Sequence, residues 1–394
     1  MFGFRKRRIY ADWAATTPLH PRVAKAMSKA RAFWANPSAI HAEGVVAKNA
    51  LSASRVACAM ILSAKSDEMY FTSGGTEANN MIVRGVVEAC VAEGMPLTDI
   101  HIVSTAIEHS SILETLRDLE RRGASVTYVG TNEVGIVSAD EMLAAIRPNT
   151  VLVTCMLANN EIGTIQPISK IGAGIRKIRA AKVGEDGALF PVFHSDASQA
   201  PLWLACDLEG LRVDALTLDA HKMQGPKGIG LLALRHGTPC RPTMLGGGQE
   251  RGMRPTTESV ELAAGFTEAL RIAHEGREVR VRQASSIRDV FVAALGKAFT
   301  DIMLNGSFEK RLPNNVNLSL SGLSDPEFAV LKLDHAGIAC STKSSCLKGE
   351  ESSYVVSALG GPDWRARNTL RFSLAPDATL SDIHKIISAL KELR

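Results

Sequence analysis

A chain of 394 residues, 45% hydrophobic and 22% charged, has the composition of an ordinary globular protein and is long enough for two domains. Its net charge of +4 is small for this length, so composition offers no electrostatic argument for nucleic-acid binding. The basic run 5–8 is not followed by an apolar signal region, and no stretch is long enough to span a membrane.

Cysteine usage bears on the cellular compartment. The seven cysteines are scattered and form no CxxC pair. Their odd number and irregular spacing predict neither a disulfide framework nor a zinc site. This pattern favours the reducing cytoplasm.

From about residue 68 onward, short apolar runs alternate with segments of helical periodicity. The apolar runs predict strands at residues 69–72, 101–104, 126–129, 151–156, 191–194, 215–218 and 229–234. The periodic segments predict helices at residues 77–93, 111–122, 139–146 and 168–182. This alternation predicts an α/β fold with a mostly parallel sheet covered by helices on both faces. Ligands of such sheets bind at the carboxyl ends of the strands.

The pattern changes after the glycine-rich stretch 246–248. This stretch and residues 249–257 predict an ordered functional loop at a domain boundary. The last third predicts a long helical region, two strands and an amphipathic closing helix, at residues 258–298, 315–320, 369–374 and 383–390. We therefore predict a large domain of residues 16–257, and a small α/β domain of residues 1–15 and 258–394.

Lys222 lies in the segment 216–230, LTLDAHKMQGPKGIG, between an apolar run and a glycine-rich exit. Two strands joined by a sharp connection would hold this lysine on a fixed loop at the sheet edge. An imine-forming lysine needs such a positioned, partly desolvated setting with a depressed pKa. A surface lysine in a turn is the alternative that this fragment leaves open.

Polar groups follow several other predicted strands. Gly75 and Thr76 open a helix and suit either a phosphate site or a plain N-cap turn. His109 fits a ring-stacking residue or a hydrogen-bonded loop residue, and Asn160 fits a ligand contact or a turn. Asp196 would face the same crevice as Lys222, where a carboxylate can keep a pyridinium nitrogen protonated. A cap or a metal ligand is the other interpretation of Asp196, but no cluster with metal-ligand spacing accompanies it.

Seven motifs occur in order between Tyr10 and about Leu374: SGGTEANN, EHSS, ANNEIG, HSDASQ, AHKMQGPKGIG, GGGQERGMRPTT and TLRFSL. Together they resemble the cysteine desulfurases of the class V aminotransferase superfamily, in the housekeeping and nitrogen-fixation branch. The opening ADWAATTP matches the same family. The resemblance implies a fold type I pyridoxal-phosphate-dependent transferase that works as a homodimer.

The resemblance also implies roles around the cofactor ring, pyridoxal 5'-phosphate. Lys222 would bond to the cofactor covalently, and Lys222 or His109 would handle the substrate's α-proton. His109 would stack on the ring, Asp196 would pair with the ring nitrogen, and Gln199 with the phenolic oxygen.

At the phosphate, the resemblance implies contacts from Gly75, Thr76, His221 and the residue at the position of Asp219, with Thr257 reaching in from the partner subunit. The adduct of cofactor and substrate, with its carboxylate, would be bound by Asn160, Arg371 and, as an assisting residue, Asn36. Arginine suits a carboxylate because its planar fork binds both oxygens.

Cys346, in the polar stretch STKSSC, corresponds to the family's nucleophile. Its rival Cys340 follows Ile338 and Ala339 and is expected at the end of a buried strand. The implied reaction removes sulfur from L-cysteine, releases alanine and leaves a persulfide on Cys346. A sulfur-acceptor protein would then receive the sulfur for iron–sulfur clusters, thio-cofactors or tRNA thiolation, and Cys346 is a candidate transient cluster ligand on a scaffold; we expect no other metal site.

Three alternatives remain at this point. A selenocysteine lyase, or another class V lyase or transaminase, would use the same cofactor for another reaction. A catalytically silent binding partner is the third, prompted by one departure from the family pattern.

That departure is Asp219, which stands where the family usually has a serine that contacts the phosphate. A carboxylate about 4 Å from a phosphate charge costs roughly 4 kcal/mol per charge pair at an effective dielectric constant of about 20. This exceeds the roughly 1 kcal/mol of a neutral hydrogen bond. We therefore expect Asp219 to turn away toward a cation such as Lys227, to contribute through its backbone N–H, or to stay protonated.

Overall fold

The computed structural model describes residues 8–181, 190–323, 325–343 and 351–393. Its strands are β1 Ile9–Tyr10, β2 Met69–Thr72, β3 His101–Thr105, β4 Ser125–Val129, β5 Thr150–Thr154, β6 Val192–Asp196, β7 Ala215–Asp219, β8 Gly230–Leu234, β9 Ile302–Leu304, β10 Asn315–Leu320, β11 Ile338–Ala339 and β12 Thr369–Ser373. Its α-helices are α1 Pro21–Ala30, α2 Ala42–Ile61, α3 Gly75–Ala92, α4 Ser110–Arg121, α5 Ala139–Ala144, α6 Ile168–Ala181, α7 Leu208–Leu211, α8 Val260–Glu275, α9 Arg277–Ala298, α10 Pro326–His335, α11 Tyr354–Ser357, α12 Asp363–Arg367 and α13 Leu380–Lys391. Within these ranges, no helix combines the length and apolar character needed to cross a membrane.

The large sheet has seven strands in the order β2-β8-β7-β6-β5-β3-β4. The strands from β7 to β4 are parallel to one another, whereas β8 runs antiparallel to both β7 and β2. The predicted α/β class with a mostly parallel sheet is therefore confirmed. Since β8 is antiparallel to both of its neighbours, β2 and β7 point in the same direction. The carboxyl ends of β2, β3, β5, β6 and β7 therefore lie at one edge of the sheet.

Helices cover both faces of this sheet, which explains why its strands are continuous apolar runs rather than alternating ones. Leu152 of β5 packs in a core with α3 and α4. Its neighbour Val153 points to the opposite face and packs in a core with α2, α6 and α8. Successive side chains of a strand point to opposite faces, so both must be apolar here.

A second core surrounds the antiparallel sheet β12-β10-β9 and includes residues of α9, α10 and α13. Strand β1 pairs in parallel with β11 and places Ile9 in this core. The long helical region predicted over residues 258–298 consists of two helices, α8 and α9, separated at Gly276. Helix α8 packs on α1 and α2, and α9 extends from the first core at Ala284 to the second at Phe291. The domain boundaries given above stay a prediction.

The loop after the glycine-rich stretch is attached to α2 by a buried ion pair and to β2 by hydrogen bonds. Arg55 donates to both carboxylate oxygens of Glu250 at 2.5 and 2.6 Å, and the Glu250 side chain is 1% exposed. Glu250 also accepts a hydrogen bond from the backbone N–H of Phe71 at 3.1 Å. Arg251 lies 4.0 Å above the Tyr70 ring and donates to the Met69 carbonyl. Residues 249–252 are thereby held against the edge of the sheet.

Replacing Glu250 by alanine tests this attachment. The Glu250→Ala variant leaves the Arg55 guanidinium and the Phe71 N–H buried without their acceptor, so we expect the free energy of unfolding to fall by about 3–5 kcal/mol. Denaturant titration of both proteins measures the difference. The matched control is Glu114→Ala, which breaks the exposed pair with Arg117 and should change stability by less than about 1 kcal/mol. Equal losses in the two variants would contradict the prediction.

Candidate active site

A cavity of about 180 Å³ lies at the carboxyl ends of the central strands. Ten of the residues predicted for the site line this cavity: Gly75, Thr76, His109, Asn160, Asp196, Gln199, Asp219, His221, Lys222 and Arg371. They come from the last residues of β6 and β7, from the segments that follow β2, β3, β5, β6 and β7, and from β12 of the second sheet. The shared edge of the parallel strands thus brings together residues that are almost 300 positions apart in sequence at their extremes.

Three predicted residues are not placed in this cavity. Thr257 and Asn36 are exposed and do not line it, and Asn36 accepts a hydrogen bond from the Ser38 backbone N–H at 2.9 Å. Cys346 lies outside the described residues. Its rival Cys340 is 8% exposed, and burial raises the pKa of its thiol to about 12, so it is not a ready thiolate.

Lys222 ends a short 3-10 turn, Ala220–Lys222, that directly follows β7. Its Nζ donates to the backbone carbonyls of Ala14 and Ala15 at 2.6 and 2.9 Å. Gln199 donates to the same Ala14 carbonyl at 2.9 Å. The segment around residue 14 therefore forms one wall of the cavity and fixes the direction of the lysine amine. The expected position of Lys222 on a short connection between two strands agrees with this geometry.

Asp196 is held by a chain of hydrogen bonds that reaches His109. The Asn79 side chain donates to Asp196 Oδ2 at 2.7 Å and to Ser111 Oγ at 2.9 Å. Ser111 Oγ in turn lies 2.8 Å from His109 Nδ1, and the Ser198 backbone N–H donates to Asp196 Oδ1 at 2.9 Å. The carboxylate and the imidazole thus keep a common orientation toward the cavity.

Arg371 supplies the cavity's buried cation and is 1% exposed. One guanidinium nitrogen donates to Asp12 Oδ1 at 2.8 Å, and another to the Asn160 backbone carbonyl at 2.9 Å. Among the described residues, Arg371 Nε and Asn160 Oδ1 are buried without a hydrogen-bond partner. Buried polar atoms without partners are rare, and in a cavity they indicate where a polar ligand binds.

At the opposite end, the backbone N–H of Gly75 opens helix α3 and donates to Asp219 Oδ2 at 2.8 Å. His221 Nε2 lies 3.5 Å from the same oxygen, and His221 Nδ1 lies 3.0 Å from Thr16 Oγ1. Burial alone would raise the pKa of Asp219, but its hydrogen bond to His221, the His221 charge and the Gly75 N–H outweigh burial and lower it. In this state the carboxylate faces the start of α3 and His221, and its behaviour beside a phosphate stays a prediction.

Two residues at this site carry structural roles that the sequence did not reveal. Asn79 belongs to the motif SGGTEANN. Its position among the apolar residues of α3 indicates that it is buried, although not what it binds. Asp12 belongs to the matching opening segment, but nothing in the sequence connects it with Arg371, 359 positions away. Both residues orient groups that line the cavity.

Glu108 is buried directly behind His109, and its Oε1 accepts from the Met156 backbone N–H at 2.7 Å and from Thr105 Oγ1 at 2.8 Å. Burial raises the pKa of Glu108 to about 7, against the lowering effect of these two hydrogen bonds. The nearby Asp196 charge adds to the rise. Glu108 thus titrates near neutrality beside the cavity.

Comparison with known proteins gives long sequence matches. The family model described as aminotransferase class-V matches residues 9–386. The cysteine desulfurase IscS of Dictyoglomus turgidum is 36% identical over 390 residues, which are 98% of this chain and 95% of that protein. The cysteine desulfurase IscS of Methanosarcina thermophila is 36% identical over 389 residues, 98% of this chain and 92% of that protein.

Solved structures resemble the fold over similar lengths. A structure described as a NifS-like protein has a TM-score of 0.88 and 30% identity, covering 98% of this chain and 99% of the other. A structure described as SspA in complex with cysteine has a TM-score of 0.79 and 31% identity, covering 94% of this chain and 100% of the other. These matches cover nearly the whole chain.

Glu108 generates a prediction about pH. Its pKa rises from 4.5 in the unfolded chain to about 7 in the fold, so the fold binds a proton that the unfolded chain has released between these values. The stability contributed by the protonated form is complete below about pH 4.5 and is lost as pH rises through about 7. Relative to Glu108→Gln, we expect the wild type to lose about 3 kcal/mol of unfolding free energy over this interval.

Denaturant titrations of both proteins at several pH values measure this difference. Glutamine keeps the acceptor oxygen for Met156 and Thr105 but cannot titrate, and it is therefore the matched variant. Parallel pH profiles for the two proteins would show that Glu108 does not change its protonation on folding.

Proposed function

This chain belongs to the aminotransferase class-V family, and from this premise we propose that it is a pyridoxal-phosphate-dependent cysteine desulfurase. The relatives named cysteine desulfurase cover almost the whole chain. The single observation that carries the proposal is the convergence on one cavity of the Lys222 amine, the Asp196 carboxylate and the Arg371 guanidinium. These are the groups that cofactor attachment, ring polarisation and amino-acid binding require.

The polar groups that line the cavity suit the ring and the phosphate of pyridoxal phosphate. Asp196 offers a fixed carboxylate for a protonated ring nitrogen, and His109 lies beside it on the same hydrogen-bond chain. The N-terminus of α3 favours an anion at the other end. The unpartnered Nε of the buried Arg371 is a donor for a ligand carboxylate. The charge of Asp219 would oppose a bound phosphate.

In this proposal, Lys222 would hold the cofactor covalently, Asp196 and Gln199 would hold the ring, and Gly75, Thr76 and His221 the phosphate. Bound pyridoxal phosphate supplies an electron sink for bond changes at the amino acid's carbons. The Lys222 amine, aimed into the cavity by two carbonyls, is placed to take and return the substrate's α-proton. Arg371 and Asn160 would orient the substrate by its carboxylate.

Cys346 would supply the nucleophile. Its thiolate attacks the sulfur of L-cysteine, so that a sulfur–sulfur bond forms and the substrate's carbon–sulfur bond breaks. The electron pair of the broken bond stays on the carbon, which is then protonated and leaves as alanine. The persulfide remaining on Cys346 carries the sulfur to an acceptor protein, an iron–sulfur scaffold or another sulfur carrier. A cytoplasmic location stays a prediction from cysteine usage.

We also propose a homodimer in which Thr257 completes the phosphate site of the other subunit. Parts of residues 37–56 and 248–258 line a common surface depression, and the sequence next to these parts carries exposed apolar side chains, including Trp34, Ile40 and Leu245. Exposed apolar surface of this kind is typical of a protein interface. Thr257 does not line its own chain's cavity, although Arg55 and Glu250 fix the loop that carries it.

The proposed function is tested by replacing Cys346. The Cys346→Ala variant should form alanine from L-cysteine at least about a hundredfold more slowly than the wild type, because the group that accepts the sulfur is missing. Alanine release is measured together with the visible absorbance of the bound cofactor, which Cys346→Ala should retain and Lys222→Ala should lose. Cys340→Ala is the control and should keep most of the activity. Alanine release by Cys346→Ala at the wild-type rate would contradict this assignment.

Mixed dimers test the role of Thr257. Thr257→Ala should weaken cofactor binding about tenfold or more, because a hydrogen bond to a charged phosphate is lost. A heterodimer of one Thr257→Ala chain and one Lys222→Ala chain contains one intact site if Thr257 acts across the interface. Cofactor titration of this heterodimer, purified through two different tags, should therefore show half of its sites with wild-type affinity. If Thr257 acts within its own chain, no such site appears.

A further inference from the structure

The N-terminus of α3 already holds an anion that belongs to the protein. Helix α3 spans 18 residues, Gly75–Ala92, and its first N–H group binds Asp219 Oδ2 at 2.8 Å. Helix N-termini favour negative charge because their N–H groups are unpaired and the helix dipole is positive there. The Asp219 carboxylate therefore lies beside the N–H groups that would bind the phosphate of the proposed cofactor.

The surroundings of Asp219 leave its side chain little freedom. Asp219 is the last residue of β7 and is paired with Gly230 of β8. The residue is 9% exposed, and a Cβ atom on Gly75 would lie only 3.2 Å from Oδ2. Among the described residues, Asp219 Oδ1 is buried without a hydrogen-bond partner. Oδ2 thus accepts a hydrogen bond from the first turn of α3, whereas Oδ1 is the oxygen that can take up a proton.

Charged and titratable groups face Asp219 from each neighbouring element. His221 and Lys222 come from the 3-10 turn that follows β7, and both lower the pKa of Asp219. Further groups line the cavities that contain Asp219 on either side: Glu77 of α3, Lys227 of the loop before β8, Asp196 of β6 and His109 of the loop after β3. Asp219 is consequently an anion in the protein described here, and a second anion beside it would repel it.

We propose that Asp219 takes up one proton from solvent when the phosphate of pyridoxal phosphate binds, and that it then donates a hydrogen bond from Oδ1 to the phosphate. The step forms one O–H bond on the carboxylate and leaves the phosphate chemically unchanged. It replaces the repulsion between two anions with a hydrogen bond. The inference rests on the proposed function, because it requires pyridoxal phosphate as the ligand.

A proton taken up on binding makes affinity depend on pH. The wild type should bind pyridoxal phosphate more tightly at low pH, since the proton is then more available. A serine or an asparagine at position 219 can donate a hydrogen bond without taking up a proton. Asparagine is the matched replacement, because it has the shape of the protonated acid.

The experiment compares the dissociation constant of pyridoxal phosphate for the wild type and Asp219→Asn between about pH 6 and pH 9, by absorbance titration. Other titrating groups, including Lys222, His221 and the phosphate, are present in both proteins and cancel in the ratio. We expect the wild-type constant, divided by that of Asp219→Asn, to rise by up to about tenfold per pH unit. Pyridoxal, which lacks the phosphate, is the control and should give a ratio that does not change with pH.

Infrared difference spectra provide a second readout. Binding should produce the carbonyl stretch of a protonated carboxyl group in the wild type and not in Asp219→Asn.

A ratio of dissociation constants above one that is independent of pH, without this band, would mean that Asp219 stays charged and would overturn the inference. A ratio near one at every pH would mean that the side chain moves away, which also overturns it. If neither protein nor Asp219→Ser binds pyridoxal phosphate at any pH, the proposed function itself fails.

Discussion

The arrangement of the cavity depends on how the charge of Arg371 is held. A guanidinium that is 1% exposed must be compensated, because an isolated buried charge is strongly unfavourable. Its partners come from the opening segment, at Asp12, and from the loop after β5, at Asn160. Since Arg371 itself belongs to β12, this one side chain joins the second sheet to the first. Arg371 therefore helps to position the cavity walls and also provides a ligand donor.

Each charge along the cavity has partners that leave it a defined capacity to bind a ligand. Arg371 is paired with Asp12 and still has an Nε without a partner in the described part of the chain. Asp219 lies between His221 and the N-terminus of α3. Asp196 is held by neutral donors, Asn79 and the Ser198 N–H, so its charge is available to a cationic ring nitrogen. A ligand with an anion at one end, a basic ring nitrogen and a carboxylate agrees with this order of groups.

The sequence predicted the parts of this structure that depend on local patterns. Buried strands were recognisable as apolar runs, and strand ends correctly located His109, Asp196 and Lys222 on one edge because parallel strands end together. Contacts between distant segments could not be predicted in this way. Neither the pairing of Asp12 with Arg371 nor the hydrogen bond from Asn79 to Asp196 leaves a periodic signal. The hydrogen bond from the Gly75 N–H to Asp219 is another contact between distant segments, and the behaviour of Asp219 beside a phosphate stays a prediction.

The loop that carries Thr257 has several strained backbone angles and is held in place by several side-chain contacts. Glu250, Arg251 and Thr256 have φ values of 46°, 56° and 102°, a region that residues other than glycine adopt only at a cost of about 1–3 kcal/mol each. Contacts to α2, β2 and α3 offset this strain: the buried pair of Arg55 and Glu250, the Arg251 guanidinium over the Tyr70 ring, and the pair of Arg254 and Glu77. A loop that only connects two elements does not require strained residues held by several contacts. Their concentration just before an exposed threonine, beside the start of α3, is understandable if the loop presents Thr257 in a fixed geometry to a second subunit.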